Sequence, residues 1–215
     1  MIVYVATKNA GKFAELRHIF AGSGWDLQVH PAYEDVAEGD ESYDENAALK
    51  ARALFTRLCE TTGCAAVLGD DSGLEVAALG GRPGVRSARY GGPNATWAER
   101  RQALLAELAT SGTSDRRARF VCALHFIGPD GRAYGVRSSL EGEIAAREIG
   151  AAGFSYDPLF LYPPLGITFG EMREEEKNRL SHRALAARAL IEALDADECA
   201  PEMLAPTGNT APTGT

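Results

Sequence analysis

Residues 2–20, IVYVATKNAGKFAELRHIF, decide the class of fold. The β-branched and apolar run 2–7 (IVYVAT) reads as a buried strand that ends in a polar cluster. Thr7-Lys8-Asn9-Ala10-Gly11-Lys12 is a loop, and Phe13, Leu16, Ile19 and Phe20 then recur at helical spacing. A strand feeding a helix through small and polar residues opens an α/β domain. It also leaves helix N-terminal N–H groups free to cradle an anion, with Lys8 and Lys12 adding charge. A plain βα turn accounts for this stretch equally well. It is not a Walker A motif, because no Ser or Thr follows Lys12 and no Gly sits at the required upstream position.

Working outward, Ser42 and Glu45 stand at capping-box spacing and start a helix to about Cys59, with Leu54, Phe55 and Leu58 inward. Residues 64–69 (CAAVLG) read as a second buried strand, ending at Asp70-Asp71-Ser72-Gly73. Residues 79–94 (LGGRPGVRSARYGGPN) form a long loop with three arginines, and Thr96 with Glu99 caps a helix to about Leu108. Strands at Phe120–Ile127 and Ala133–Ser139 meet at Gly128-Pro129-Asp130-Gly131, a hairpin signal that excludes a purely parallel sheet. A loop from Gly150 to Pro158 leads to a short strand, Leu159–Tyr162. The pattern from Glu171 to Leu194 is helical, with Ser181 placed to cap its last helix. The expected architecture is one α/β domain over residues 1–200, a mixed sheet with flanking helices. Residues 201–215 repeat Ala-Pro-Thr-Gly and are expected to be disordered and dispensable.

Composition narrows the function. The 215 residues are 45% hydrophobic and 24% charged, enough for a full core and unlike a fibrous or disordered chain. Thirty acidic against 22 basic residues give −8, which argues against a nucleic-acid binder. No apolar run approaches membrane-spanning length, and MIVYVATKNAGK lacks the layout of a signal peptide. Cys59, Cys64, Cys122 and Cys199 form no CxxC pair, so they read as small buried hydrophobes in a reducing cytoplasm. Of the 22 basic residues only Lys8, Lys12, Lys50 and Lys177 are lysines, which points to work at those four positions that a planar guanidinium cannot do.

Two further groups carry candidate chemistry. Acidic residues gather at Glu38, Asp40, Glu41, Asp44 and Glu45, where a solvated loop is the ordinary reading, and again at Asp70-Asp71. Carboxylates at the end of a buried strand need something positive to meet them, and since neighbouring strand residues face opposite ways, one of the two is expected to face a site. A hard divalent ion held by one or two carboxylates and substrate phosphate suits such a place. In the C-terminal third, Phe154-Ser155-Tyr156-Asp157 lies on a Gly-rich loop, followed by Glu176-Lys177-Asn178 and Ser181-His182-Arg183. Two loop aromatics can sandwich a flat base or plug the core.

Five segments in order, ATKNAGK, DENAALKARA, LGDDSGLEVAALGGRPGVRSARYGG, GFSYDPLF and EEKNRLSHR, resemble the inosine/xanthosine triphosphate pyrophosphatases, which remove non-standard purine nucleotides from the cell's pool. The resemblance spans residues 1–194. It implies an elongated mixed-sheet fold, two lobes around a nucleotide cleft, a homodimer and Mg²⁺. It assigns phosphate to Thr7, Lys8, Asn9, Ala10, Gly11 and Lys12, with Asn9 and Lys12 as direct contacts, and Lys50 to the same phosphates. Asp71 becomes general base and metal ligand, Ser72 a substrate contact, and Glu38 the second metal carboxylate, with Glu41 or Glu45 as alternatives. Phe154, Ser155, Tyr156, Asp157, Lys177, His182 and Arg183 become the nucleoside pocket, in which Lys177, Arg183 and a protonated His182 would donate to a purine keto oxygen. Lys8 and Ser155 stand where the family has Gly, which puts the backbone geometry at those two points in question. The resemblance implies hydrolysis of ITP, dITP or XTP to monophosphate and pyrophosphate. The alternatives are a pyrophosphatase for pyrimidine or modified triphosphates, an orthophosphate-releasing enzyme, and a non-catalytic nucleotide sensor.

Overall fold

The computed structural model describes residues 1–198. The expected tail and Cys199 therefore lie outside the described residues. The opening segment folds as read: β1 (Ile2–Ala6) runs into α1 (Ala10–Ile19). β1 pairs in parallel with β2 (Asp26–Val29) on one side and with β3 (Ala66–Val76) on the other. The remaining strands are antiparallel: β4 (Pro83–Gly84) and β5 (Arg117–Ile127) on β3, then β6 (Ala133–Ile144), β7 (Phe160–Tyr162) and β8 (Ile167–Thr168) in sequence. The mixed sheet has the spatial order β2-β1-β3-β5-β6-β7-β8, with β4 beside β3.

Helix α2 (Tyr43–Thr61) crosses one face of β3 and β5, while α5 (His182–Glu198) packs on β5 and β6 and against α1. The other helices are α3 (Trp97–Thr110) and α4 (Glu174–Leu180). Each expected N-cap is made, though only one of the two boxes is reciprocal. Thr96 and Glu99 form a reciprocal box, Ser42 accepts from the Glu45 N–H, and Ser181 accepts from the Ala184 N–H at the start of α5.

The sheet carries two main cores, one toward each end. Val3, Val5, Leu16, Phe20, Leu68 and Leu190 belong to the first; Leu74, Val76, Leu104, Phe120, Tyr156, Phe160 and Phe169 belong to the second. β3 passes from one to the other, and Asp70-Asp71-Ser72-Gly73 lies between them. The two carboxylates do not close a strand; β3 continues through them for 11 residues, in ladder with β5 (Asp70 opposite Leu124, Asp71 opposite Ala123). Backbone pairing tolerates residues that look like a turn because their side chains meet cations. The short β2, β4 and β8 gave no periodic signal, and β6 extends five residues past Ser139 to Ile144.

A second correction concerns the cysteines. Cys59 and Cys64 are joined by a disulfide at the end of α2, so only Cys122 among the described residues is the buried free thiol that was expected.

Helix α2 reaches the sheet by close backbone approach. A Cβ on Gly69 would sit 2.1 Å from the Ala47 carbonyl oxygen and 3.1 Å from the Ala51 Cβ. Gly69→Ala is expected to lower stability by roughly 3 kcal/mol, the upper end for overpacking, because a helix backbone cannot yield as a side chain can. A urea titration reads this directly, and a midpoint equal to the parent's would contradict the close contact.

Candidate functional site

The two faces of β3 present different halves of one charged cluster. On the α2 face, Asp71 Oδ1 accepts from Lys50 Nζ at 2.9 Å and Asp71 Oδ2 accepts from Asn46 Nδ2 at 3.2 Å. Lys50 also bonds Glu38 at 2.5 Å and the Asp70 carbonyl at 3.1 Å. Asn46 is fixed by Gly39, whose N–H it accepts at 2.8 Å and to whose carbonyl it donates at 3.1 Å, so α2 anchors the acidic loop that carries Glu38. Arg86 and Arg89, from the loop before α3, grip Asp40 at 2.7 and 3.1 Å from the other side.

On the α1 and α5 face, Asp70 (1% exposed) sits between Lys12 at 2.6 Å and Arg183 Nε at 3.2 Å, and accepts the Cys122 thiol at 3.3 Å. Arg183 spreads its guanidinium across Asp70, Glu15 at 2.6 Å and the Ser72 hydroxyl at 2.7 Å. Lys177 is bound by Glu15 and by Asp157. Asp157 in turn accepts the Phe154 N–H at 2.7 Å, tying the aromatic loop to α4.

These partners set the two aspartates apart. Burial alone would raise both. At Asp70 the charges of Lys12 and Arg183 overcome it and hold the carboxyl far below the usual carboxylate range. At Asp71 burial prevails over Lys12 and Lys50, and its carboxyl is raised. Asp70 is thus a fixed anion and Asp71 the more basic one. Asp71 lines an open cleft together with Glu38, Asn9, Lys12, Ser72 and Arg183. The same contrast separates the two carboxylates around Lys177. Glu15 is buried, yet Arg183 and Lys177 together hold it low, whereas Asp157 is raised by burial and by the neighbouring Glu15, with Lys177 lowering it too little.

The residues singled out in the sequence divide clearly. Lys12, Lys50, Glu38, Asp71, Ser72, Phe154, Ser155, Asp157, His182 and Arg183 converge at the cleft or against its lining. Thr7 and Asn9 shape the loop itself: the Asn9 N–H donates to Thr7 Oγ1, and the Asn9 side chain caps α1 by accepting the Lys12 N–H. Phe154 rests on Gly11, where a Cβ would approach its ring to 3.0 Å, so Gly11 serves by being small, while Ala10 is exposed as the first residue of α1. Lys8 is not brought in; it is exposed and faces Asp35 at 3.7 Å. Of the acidic loop, Glu38 lines the cleft, while Glu41 and Glu45 are exposed. Ser155 takes φ +61° in the left-handed region, with Arg101 Nη1 donating to its carbonyl at 2.8 Å. Ser155 thus adopts a backbone conformation that favours Gly.

Two of the expected pocket residues are packed into the interior behind the cleft. Tyr156 does not offer a face to a base: it is fully buried, its hydroxyl donates to the Ser87 carbonyl at 3.0 Å, and it belongs to the second core. His182 is not set up as an imidazolium donor. It is buried against Phe120, rings 4.6 Å apart and near parallel, and burial with Arg183 and Lys177 nearby pushes its pKa well below the ordinary value. Lys177 is committed to Glu15 and Asp157, whereas Arg183 keeps uncommitted N–H donors beyond its three bonds. Sequence reasoning also missed Glu15, Asn46 and Trp97. Glu15 and Asn46 lie within helical runs and gain meaning only from distant partners. Trp97 was legible only as the residue after a cap.

The state of His182 has a consequence for stability. Its folded pKa lies below its unfolded value near 6.5, so below that pH the unfolded chain takes up a proton that the folded chain does not. This residue should therefore cost stability as pH falls, by at most about 1.4 kcal/mol per pH unit. Urea melts at pH 5 and 7 should show a smaller pH effect in His182→Gln than in the parent; equal slopes would contradict a neutral His182.

Glu38 and Asp71 direct oxygens at one ammonium, and burial still raises the Asp71 carboxyl despite it. Two hard oxygen donors that face each other across one ammonium fit a divalent cation that is completed by water and phosphate. Among the described residues there is no group of three His, Cys, Asp or Glu side chains able to hold a metal without such help.

Comparison with known proteins identifies the family. A Ham1 family model matches residues 3–193. A dITP/XTP pyrophosphatase of Thermus thermophilus is 47% identical over 195 residues, covering 90% of this chain and 91% of the relative. One from Exiguobacterium sibiricum is 41% identical over 197 residues, covering 90% and 97%. The solved Ham1 protein of Staphylococcus aureus superposes with a TM-score of 0.78 at 36% identity, covering 92% of this chain and 100% of that one. Since the family model covers residues 3–193 and these relatives match along nearly their whole length, the chain belongs to the Ham1 family.

Proposed function

We propose that this protein is a nucleoside triphosphate pyrophosphatase that hydrolyses non-standard purine nucleotides, ITP, dITP and XTP, to the monophosphate and pyrophosphate. The observation that carries this reading is a single cleft lined by Asp71, Glu38, Lys12 and Arg183 together with the rings of Phe154 and Trp97, with Lys50 bonded to both Asp71 and Glu38. Lys12, Lys50 and the start of α1 meet the triphosphate. Asp71 orients the attacking water at the α-phosphorus and takes its proton. Mg²⁺ on Glu38 and Asp71 would supply charge neutralisation on the phosphates and the departing pyrophosphate. The N–H donors of Arg183 that remain uncommitted suit the keto oxygen of hypoxanthine or xanthine and leave an unpaired donor against the amino group of adenine. A homodimer acting in the cytoplasm belongs to the same reading; no helix of the described residues is long and apolar enough to cross a membrane.

The test is incubation with Mg²⁺ and ITP, XTP, GTP, ATP or dTTP, with products resolved by ion-exchange chromatography. IMP with pyrophosphate, and ITP and XTP far ahead of GTP and ATP, is the expected result. IDP with orthophosphate would move the attack to the γ-phosphorus and overturn the mechanism. Preferred turnover of dTTP would reassign the substrate, and no turnover would leave a nucleotide sensor.

A further inference from the structure

Besides the His182 imidazole, four aromatic rings line the cleft: Trp97, Phe120, Phe154 and Tyr156. Phe120 and Tyr156 are buried in the second core, at 4% and 0% exposure, so Phe154 and Trp97 are the rings that keep surface open. Trp97 is the first residue of α3, and the Thr96–Glu99 box fixes the start of that helix. Its indole meets Tyr156 edge to face, with centroids 5.5 Å apart and planes at 78°. The guanidinium of Arg100, one turn on, lies 5.1 Å from the ring centroid. The indole is thus held from two sides while part of it faces the cleft. It stands on the side of the second core, whereas Lys12, Glu38 and Lys50 come from α1, the acidic loop and α2.

We infer that Trp97 is a base-binding, specificity-determining residue: its indole is an aromatic wall against which the purine packs, a role shared with Phe154 in place of Tyr156. The inference rests on the nucleotide reading above and deepens it. Phosphates are drawn to the cationic side, which leaves the base to the aromatic side. There a bicyclic purine covers more of an indole than a pyrimidine does, so Trp97 favours purines over pyrimidines.

Trp25, the other tryptophan, packs between Phe20 and Phe126 in the first core, so Trp25→Phe leaves Trp97 as the only indole. In that variant, titration with IMP should change the emission of Trp97 to saturation, while tripolyphosphate, which has no base, should leave it unchanged. Trp97→Ala should raise KM for ITP about tenfold with kcat within a few-fold, and narrow the preference for ITP over dTTP. Trp97→Phe, which keeps a ring, should stay within about threefold of the parent. IMP binding seen by calorimetry without any change in Trp97 emission overturns the assignment, as does an unchanged KM in Trp97→Ala. A parent protein that responds to IMP but does not hydrolyse ITP overturns the pyrophosphatase reading and leaves the base wall standing. Absence of IMP binding overturns both.

Discussion

Asp71→Asn is expected to lower kcat for ITP by about 10³-fold while leaving the affinity for nucleotide within a few-fold. The size follows from the loss of a positioned general base, which contributes roughly 10²- to 10⁴-fold. Asparagine keeps the shape and an oxygen for Lys50, so the fold has little to lose at that atom. The other oxygen matters more. Asp71 Oδ2 accepts from Asn46, whose own amide is locked by two bonds to Gly39, so an amide nitrogen at position 71 meets a donor that cannot turn away. The cost is one lost hydrogen bond, about 1 kcal/mol, too small to unfold the chain. Turnover measured under saturating ITP, beside calorimetric binding of IMP, separates the two effects. A variant with near-parental kcat would remove Asp71 from the chemistry; a variant that no longer binds IMP would make Asp71 a binding group instead.

Much of this site could be read in the sequence because its parts are local. The Thr7–Lys12 loop, the acidic pair before Ser-Gly and the scarcity of lysine each lie within a few residues. Three of the four lysines do converge on the cluster, Lys12, Lys50 and Lys177, and only Lys8 stays outside. What could not be read depends on partners far along the chain. Asp70 and Asp71 look like a turn until β5 is set beside them and Arg183, 113 residues on, is brought to Asp70. Tyr156 and Phe154 are alike on a loop, and only the second core decides that one ring plugs it. The disulfide between Cys59 and Cys64 needs the fold-back after α2 that no spacing rule announces. Glu15 is the extreme case: on an apolar-periodic helix an isolated acid reads as solvated, yet it is 6% exposed and bound to residues 162 and 168 positions away.

That position carries the second large effect. Glu15→Ala is expected to lower stability by about 3 kcal/mol, the low end for breaking a buried ion pair. The penalty arises less from the bond removed than from the two cations left behind, Lys177 and Arg183, both buried. Each retains another carboxylate, Asp157 and Asp70 respectively, which keeps the loss at the low end. For a chain of this length that corresponds to a fall in melting temperature of roughly 6–12 °C. Its pH dependence has a definite sign. The Glu15 carboxyl is held below its ordinary value, so its stabilisation is complete above the unfolded value near 4.5 and is lost as pH falls through the folded one. The gap between parent and variant should therefore be full at pH 7 and narrow toward pH 3. Glu15→Gln, which keeps volume and one acceptor, should fall between them. Glu15 joins α1 to α4 and α5, and Arg183 passes the constraint on to Ser72 at the cleft, so activity should fall with the same ordering. A melting temperature for Glu15→Ala within about 2 °C of the parent would mean that the cations find water or each other's partners, and that the network positions the site without holding the fold together.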